Sequence, residues 1–240
     1  MGFINSILNL FSSKSIILND SADKEENLKT VLSYEEQLHE KFGNIDYPNK
    51  KLNIRIMFIA DTHDTLYYHK EMQEYIKTMP NIDLYLLLGD HSAWECDFFR
   101  DNIPNDKLFG IVGNHDPWER LKDSNITDIN KKVITVKGIR ITGLAGSTKY
   151  KDGNYGMYTQ EDAMDIVENL PATDILITHD KPYLVEESDY VHNGLKAITY
   201  YLYKNKIPYH IHGHLHEEYE KTLLNGTKSF CVYKIHVLEL

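Results

Sequence analysis

Ile111-Val112-Gly113-Asn114-His115-Asp116 is an apolar run that stops at a glycine and passes at once to three polar side chains. In an α/β protein this is how a strand hands its C-terminal end to an active-site loop. The three side chains are suited to three different jobs. The amide oxygen of Asn114 can bind a metal, the imidazole of His115 can move a proton, and the carboxylate of Asp116 can orient that imidazole. One such stretch is only suggestive, and its weight depends on how many other strands end the same way.

Upstream, residues 54–60 form an apolar run of strand length that ends in Asp61-Thr62-His63-Asp64. Residues 71–79 have helical character and are closed by Pro80; 83–88 reads as a second strand ending in Gly89-Asp90. A short helix over 93–100 and a third strand over 107–112 complete a βαβ pattern. Downstream, 132–136 and 139–144 alternate around Lys137-Gly138 as a hairpin would. Residues 159–170 read as a helix with Thr159 as N-cap and Asp162 in the capping-box position. A strand over 174–178 ends in His179-Asp180, and 191–203 is helical. A strand over 207–211 leads into His212-Gly213-His214-Leu215-His216, and 218–224 with 228–238 reads as a hairpin about Asn225-Gly226.

Five strand ends therefore carry polar clusters: Asp61 and His63, Asp90, Asn114 and His115, His179, and His214 and His216. One acid or histidine after a strand is ordinarily a cap or turn residue. Five ends rich in metal-ligand types are hard to explain that way. The candidates are three oxygen donors (Asp61, Asp90, Asn114) and four imidazoles (His63, His179, His214, His216). Mixed nitrogen and oxygen ligands without thiolate suit Mn, Fe, Zn, Ni or Co. Seven side chains are too many for one tetrahedral ion and about right for two ions roughly 3.5–4 Å apart that share a carboxylate.

The order Asp61-x-His63, Gly89-Asp90, Gly113-Asn114-His115-Asp116, His179, Gly213-His214-x-His216 resembles the calcineurin-like metallophosphoesterase family, over residues 54 to about 216 and on into the closing strands. The resemblance implies two mixed β-sheets packed together with helices outside, a four-layer sandwich in the α/β (α+β) class. It implies that Asp61, His63 and His216 bind a first divalent transition metal, Asn114, His179 and His214 a second, and that Asp90 bridges them, with Mn the leading candidate. It further implies phosphoester hydrolysis by a hydroxide shared between the metals. His115 would contact the substrate phosphate and protonate the leaving group, and Asp116 would hold its ring. The stretch Gly89-Asp90-His91-Ser92-Ala93-Trp94 departs from the pattern, which often has another acid here.

Other candidates weigh less. His91 reads as a loop histidine rather than a substrate contact, and Asp64 as a turn residue or helix cap. His210 and His212 share a strand face opposite Tyr209 and Ile211, which favours a structural role. His39, His69, His192 and His236 lie away from every motif. The loop from Gly146 to Tyr158, with Lys149 and Tyr150, is either a substrate wall or an exposed connection. It lacks the spacing of a phosphate-binding loop.

The remainder of the chain bounds the function. Residues 1–50 read as a helical extension and linker before a domain over 51–240. Phe3, Ile4, Ile7, Leu8 and Phe11 share a face within the first 13 residues, and a second helix spans 25–42. That extension is a candidate for pairing two copies or for a surface contact. No run approaches the ~18 apolar residues of a membrane span. Net charge −10 in 240 residues disfavours duplex nucleic acid. Two cysteines, Cys96 and Cys231, suit a reducing cytoplasm. The sequence thus reads as a cytoplasmic phosphodiesterase for a small or nucleotide-like phosphoester. A phosphomonoesterase or protein phosphatase, a nuclease, or a metal-binding scaffold on the same fold are the alternatives.

Overall fold

Strand β1 (Arg55–Ala60) has the sequence RIMFIA, and every residue after its arginine is buried. A strand apolar on both faces must be covered on both faces, which places it in the interior of a sheet with helices or another sheet on each side. In the computed structural model, which describes residues 32–46, 50–153, 155–185 and 190–240, β1 pairs in parallel with β2 (Leu84–Leu87). β2 pairs in parallel with β3 (Leu108–Gly110), and β3 with the short β4 (Thr127–Asp128). The expectations for residues 1–31, including the apolar face of the first 13 and the start of the helix over 25–42, lie outside the described residues.

The second sheet starts with the expected hairpin, β5 (Val133–Val136) and β6 (Ile139–Leu144). Lys137 and Gly138 turn it with φ of 51° and 79°, the double positive φ of a type I′ turn. Two-residue strands β7 (Ser147–Thr148) and β8 (Met157–Tyr158) form a separate small ladder. β9 (Ile175–Thr178) lies parallel to both β6 and β10 (Tyr209–His212). β11 (Tyr219–Thr222) and β12 (Lys228–Cys231) form a hairpin whose second strand pairs with β10. The order is β11-β12-β10-β9-β6-β5.

The long closing hairpin read from the sequence stops short of this. After Cys231 the chain leaves the second sheet, and β13 (Lys234–Glu239) pairs antiparallel with β1, giving the first sheet the order β13-β1-β2-β3-β4. Val232 is fully buried at the crossing, and Lys234 turns with φ 59°. One core joins the sheets, running from Ile56, Phe58 and Ile59 through Ile111 and Ile129 to Ile141, Ile177 and Ile211.

Helices α1 (Tyr34–Phe42), α2 (Thr65–Tyr68), α3 (Lys70–Thr78), α4 (Ala93–Asn102), α5 (Arg120–Asp123), α6 (Gln160–Glu168) and α7 (Lys196–Lys204) flank the sheets. α4 starts on a capping box between Ser92 and Glu95, and α6 on Thr159, whose side chain accepts from Asp162 N. The helix over 191–203 begins later than its periodicity indicates. Tyr190–His192 is a 3-10 turn, and Gly194 at φ 85° interrupts the chain before Lys196. Leu32–Leu240 is one compact unit, and α1 belongs to it. The buried Glu35 accepts hydrogen bonds from the Tyr203 hydroxyl at 2.7 Å and from Leu224 N at 2.9 Å. Among the described residues no helix is long and apolar enough to cross a membrane.

Candidate metal centre

The C-terminal ends of β1, β2, β3, β9 and β10 meet at one edge of the two sheets, and close backbone contact brings them together. A Cβ on Gly89 would fall on the backbone nitrogen of Gly113, and a Cβ on Gly113 would fall on the carboxylate of Asp90. Each motif glycine is thus a place where another motif passes too near for a side chain. The residues after the strands are bent in a way L-amino acids rarely adopt. Asp61, His63, Asp90, His214 and His216 have φ of 52°, 41°, 59°, 71° and 55°. Left-handed backbone at non-glycine residues costs roughly 1 kcal/mol or more apiece and clusters at functional sites. Asp64 is one more, with φ 65°, and it precedes α2 without a side-chain cap bond.

These bends turn the donors inward. Asp61 Oδ2 accepts from His214 N at 2.9 Å, and its Oδ1 is buried without a hydrogen-bond partner. Asp90 Oδ1 accepts from His115 N at 2.8 Å, and its Oδ2 lies 3.6 Å from His63 Nε2 and 3.5 Å from His179 Nε2. His179 Nδ1 donates to Leu88 O at 2.8 Å, which leaves the Nε2 side for the centre. Asn114 Nδ2 donates to the Tyr150 hydroxyl at 3.0 Å, so Oδ1 faces inward, 2.8 Å from His179 Nε2. His63 and His216 bring their Nε2 atoms to 3.2 Å.

Two clusters result, Asp61 with His63 and His216, and Asp61 with Asp90 and His179. Asp61 is common to both, while Asp90 Oδ2 stands between a histidine of each. His214 packs its ring 5.0 Å from that of His179, and its Nε2 is buried without a partner. Buried orphan atoms are costly unless something satisfies them. Asp61 Oδ1 and His214 Nε2, with imidazole nitrogens converging beside two carboxylates, are what a divalent cation would satisfy. The donor set therefore fits the metals that its chemistry implies.

The charges agree. Burial raises the Asp61 carboxyl above its usual range, His179 opposing and Asp90 adding to the rise. Burial acts on Asp90 too, but the charge and hydrogen bond of His179 hold its carboxyl well below the usual range. His179 rises to about 10 against its own burial, chiefly because of Asp90. Burial pushes His214 down to about 2. Asp90 and His179 thus favour each other's charged forms, and a cation at the centre would compete with the proton that His179 carries in that form.

Asp116 does something other than hold the His115 ring. Its Oδ2 accepts from Asp90 N at 2.7 Å and Gly113 N at 2.9 Å, and its Oδ1 from His91 N at 3.2 Å. The carboxylate braces the loops after β2 and β3 together. His115 points outward, its ring 5.4 Å from that of His63. Burial lowers its pKa, Asp90 opposing and Lys151 adding to the fall. The floor of the centre (Asp61, Asp90, Asn114, His179, His214) is buried, and the rim (His63, His115, His216) is exposed.

Several participants carry no motif signature. Glu95 is fully buried and accepts from Asp64 N at 3.1 Å, Leu66 N at 3.2 Å and Ser92 N at 3.0 Å, tying the first two motif loops together. Its capping-box spacing from Ser92 was the available signal. His192 packs 5.1 Å from the His214 ring, although it lies far from any motif in sequence. Tyr233 stacks on His216 at 5.3 Å. His91 is buried and bonds Thr62 Oγ1 at 2.7 Å. His210 and His212 are buried away from the donors, stacked 5.2 Å apart, with His210 bonded to Thr178 and Ser229. Lys149 is paired with Asp152 at 3.2 Å rather than turned to the donors.

A metal-binding edge between two packed mixed sheets defines the class, a metal-dependent hydrolase fold. The family model described as calcineurin-like phosphoesterase matches residues 54–218, and the chain belongs to that family of phosphoester hydrolases. Among solved structures, TT1561 of Thermus thermophilus gives a TM-score of 0.54 at 10% identity, over 78% of this chain and 98% of its own. A putative 5′-nucleotidase from Staphylococcus aureus, solved with α-ketoglutarate, gives 0.54 at 13% identity over 77% of this chain and 50% of its own. At such identities the likeness is one of fold. A search of curated proteins gives no significant match.

Proposed function

We propose that this protein is a two-metal phosphohydrolase that acts on phosphodiesters of small or nucleotide-like molecules, with Mn as the leading metal. The observation that carries the reading is Asp90 Oδ2, set within 3.6 Å of a histidine from each side of the centre. Asp61, His63 and His216 would hold one ion and Asn114, His179 and His214 the other, with Asp90 serving both. When bound, the ions supply Lewis acidity, which neutralises phosphoryl charge and lowers the pKa of water. The chain supplies the rest. The buried floor excludes bulk water from the donors. His115 stands at the rim, free of the donor set, where its imidazole carries a proton to the leaving oxygen. Asp116 fixes the backbone from which His115 and Asp90 project.

An exposed aromatic cluster supports a nucleotide-like substrate. Tyr67 packs edge-on against Tyr68 at 5.1 Å and Trp94 at 5.2 Å. These rings lie within one helical turn of the first two motif loops, where a base could stack. Two buried, unpaired cysteines support a reducing, cytoplasmic setting. The test is metal analysis of pure protein, with turnover of bis(p-nitrophenyl) phosphate and p-nitrophenyl phosphate measured side by side across divalent metals. Mn-stimulated cleavage with the diester preferred is expected. Protein without bound metal and without metal-stimulated hydrolysis of any phosphoester sinks the reading, and faster monoester cleavage reverses the preference.

A further inference from the structure

The loop between β7 and β8 lies against the centre from one side. Asp180, the fully buried neighbour of His179, anchors its start by accepting from Thr148 N at 2.9 Å and Thr148 Oγ1 at 3.1 Å. From that base Tyr150 reaches the amide of Asn114. The next residue, Lys151, sets its ammonium 5.2 Å from the centre of the Tyr150 ring and 4.7 Å from that of Tyr155. Two aromatic faces hold and orient a cation. Among the described residues no carboxylate pairs with Lys151, whereas Lys149 meets Asp152. Lys149, Tyr150, Lys151, Asp152 and Gln160 help to line an open cavity of about 520 Å³ along this loop, where Asp152 is taken up by Lys149. In a chain of net charge −10, a held and unneutralised cation beside a site for anions is a local attraction for negative charge.

Tyr150 separates the two features, with its hydroxyl on Asn114 and its ring on Lys151. A phosphate at the cation would thus be a group other than the phosphoryl that the donors would hold, with the Tyr150 ring between them. We propose that Lys151, clasped by Tyr150 and Tyr155, is an anion subsite beside the metal centre that takes a second phosphate of the substrate. This rests on the reading of the centre as a phosphodiesterase and names its substrate class as a diester bearing a further phosphate.

Thymidine 5′-(p-nitrophenyl phosphate), with and without a 3′-phosphate, tests it, because both esters release p-nitrophenolate by the same cleavage. The wild type should show a KM about tenfold lower for the 3′-phosphorylated ester, the scale of one charge-assisted contact. Lys151→Ala should erase that advantage through KM with kcat little changed, and Lys151→Arg should keep it. An unchanged KM ratio in Lys151→Ala overturns the proposal. If the wild type cleaves neither ester, the phosphodiesterase reading fails, and calorimetry still decides the subsite. Thymidine 3′,5′-bisphosphate should then bind about tenfold more tightly than thymidine 5′-monophosphate, an advantage lost in Lys151→Ala. Equal binding of the two nucleotides overturns the subsite.

Discussion

Replacing Asp116 with alanine removes the partner of three buried backbone N–H groups, those of Asp90, His91 and Gly113. A buried donor left unpaired costs about 1–3 kcal/mol, so three cost about 6 kcal/mol. Alanine also relieves a strain. Burial, with the charge of Asp90, pushes the Asp116 carboxyl from 3.8 to about 6. That rise corresponds to about 3 kcal/mol against the ionised form, which the substitution recovers. The net loss is about 3 kcal/mol, because the three orphaned donors cost more than the relieved carboxylate recovers. For a domain of this size that lowers the melting temperature by roughly 6–12 °C. Circular dichroism melts of chelator-treated protein measure it, since bound metal adds stability of its own. Metal affinity should fall as well, about 10–100-fold, because Asp90 and Asn114 lose their common brace. A variant as stable as wild type, with unchanged metal affinity, would refute the bracing role. If its pH–rate profile alone shifts, Asp116 acts through the His115 ring after all.

His115→Ala should lower turnover by about 10²–10⁴-fold while metal content stays at the wild-type level, because the ring stands outside the donor clusters. Metal analysis alongside kinetics checks it, and loss of metal would show that His115 is a ligand. Gly113→Ala would place a methyl on the Asp90 carboxylate. It should abolish metal binding and destabilise the fold by about 1–3 kcal/mol, read by equilibrium dialysis with Mn and by chemical unfolding. Wild-type metal affinity in that variant would show that the loops can part without harm.

Residue types and their periodicity are local properties, and they were enough to place β1, β2, β3, β9 and β10 and the donors that follow them. They also placed the β5–β6 hairpin, whose Lys-Gly pair meets the φ requirement of its turn, and the Thr159 N-cap of α6. Long-range contact escaped the same reading. β13 returns to the first sheet because its ladder partner is β1, far earlier in the chain, and no feature of a short alternating stretch names its partner. Glu95 and His192 carried no spacing that tied them to the centre. Lys149 and Lys151 are alike as residue types, and the pairing of one with Asp152 separates them.

By itself the sequence determined which side chains are chemically able to bind metal and that each follows a strand. A parallel arrangement then sends all those strand ends to one edge. Only the tertiary structure decided how the donors present their atoms. Which oxygen of Asp61 or Asp90 is free, which nitrogen of His179 faces the centre, and whether Asp116 serves a ring or a backbone each depend on a hydrogen-bond partner from another loop. Such partners are chosen by the close packing of chain segments that lie far apart in sequence. The contact of Gly89 with Gly113 shows how little room that packing leaves.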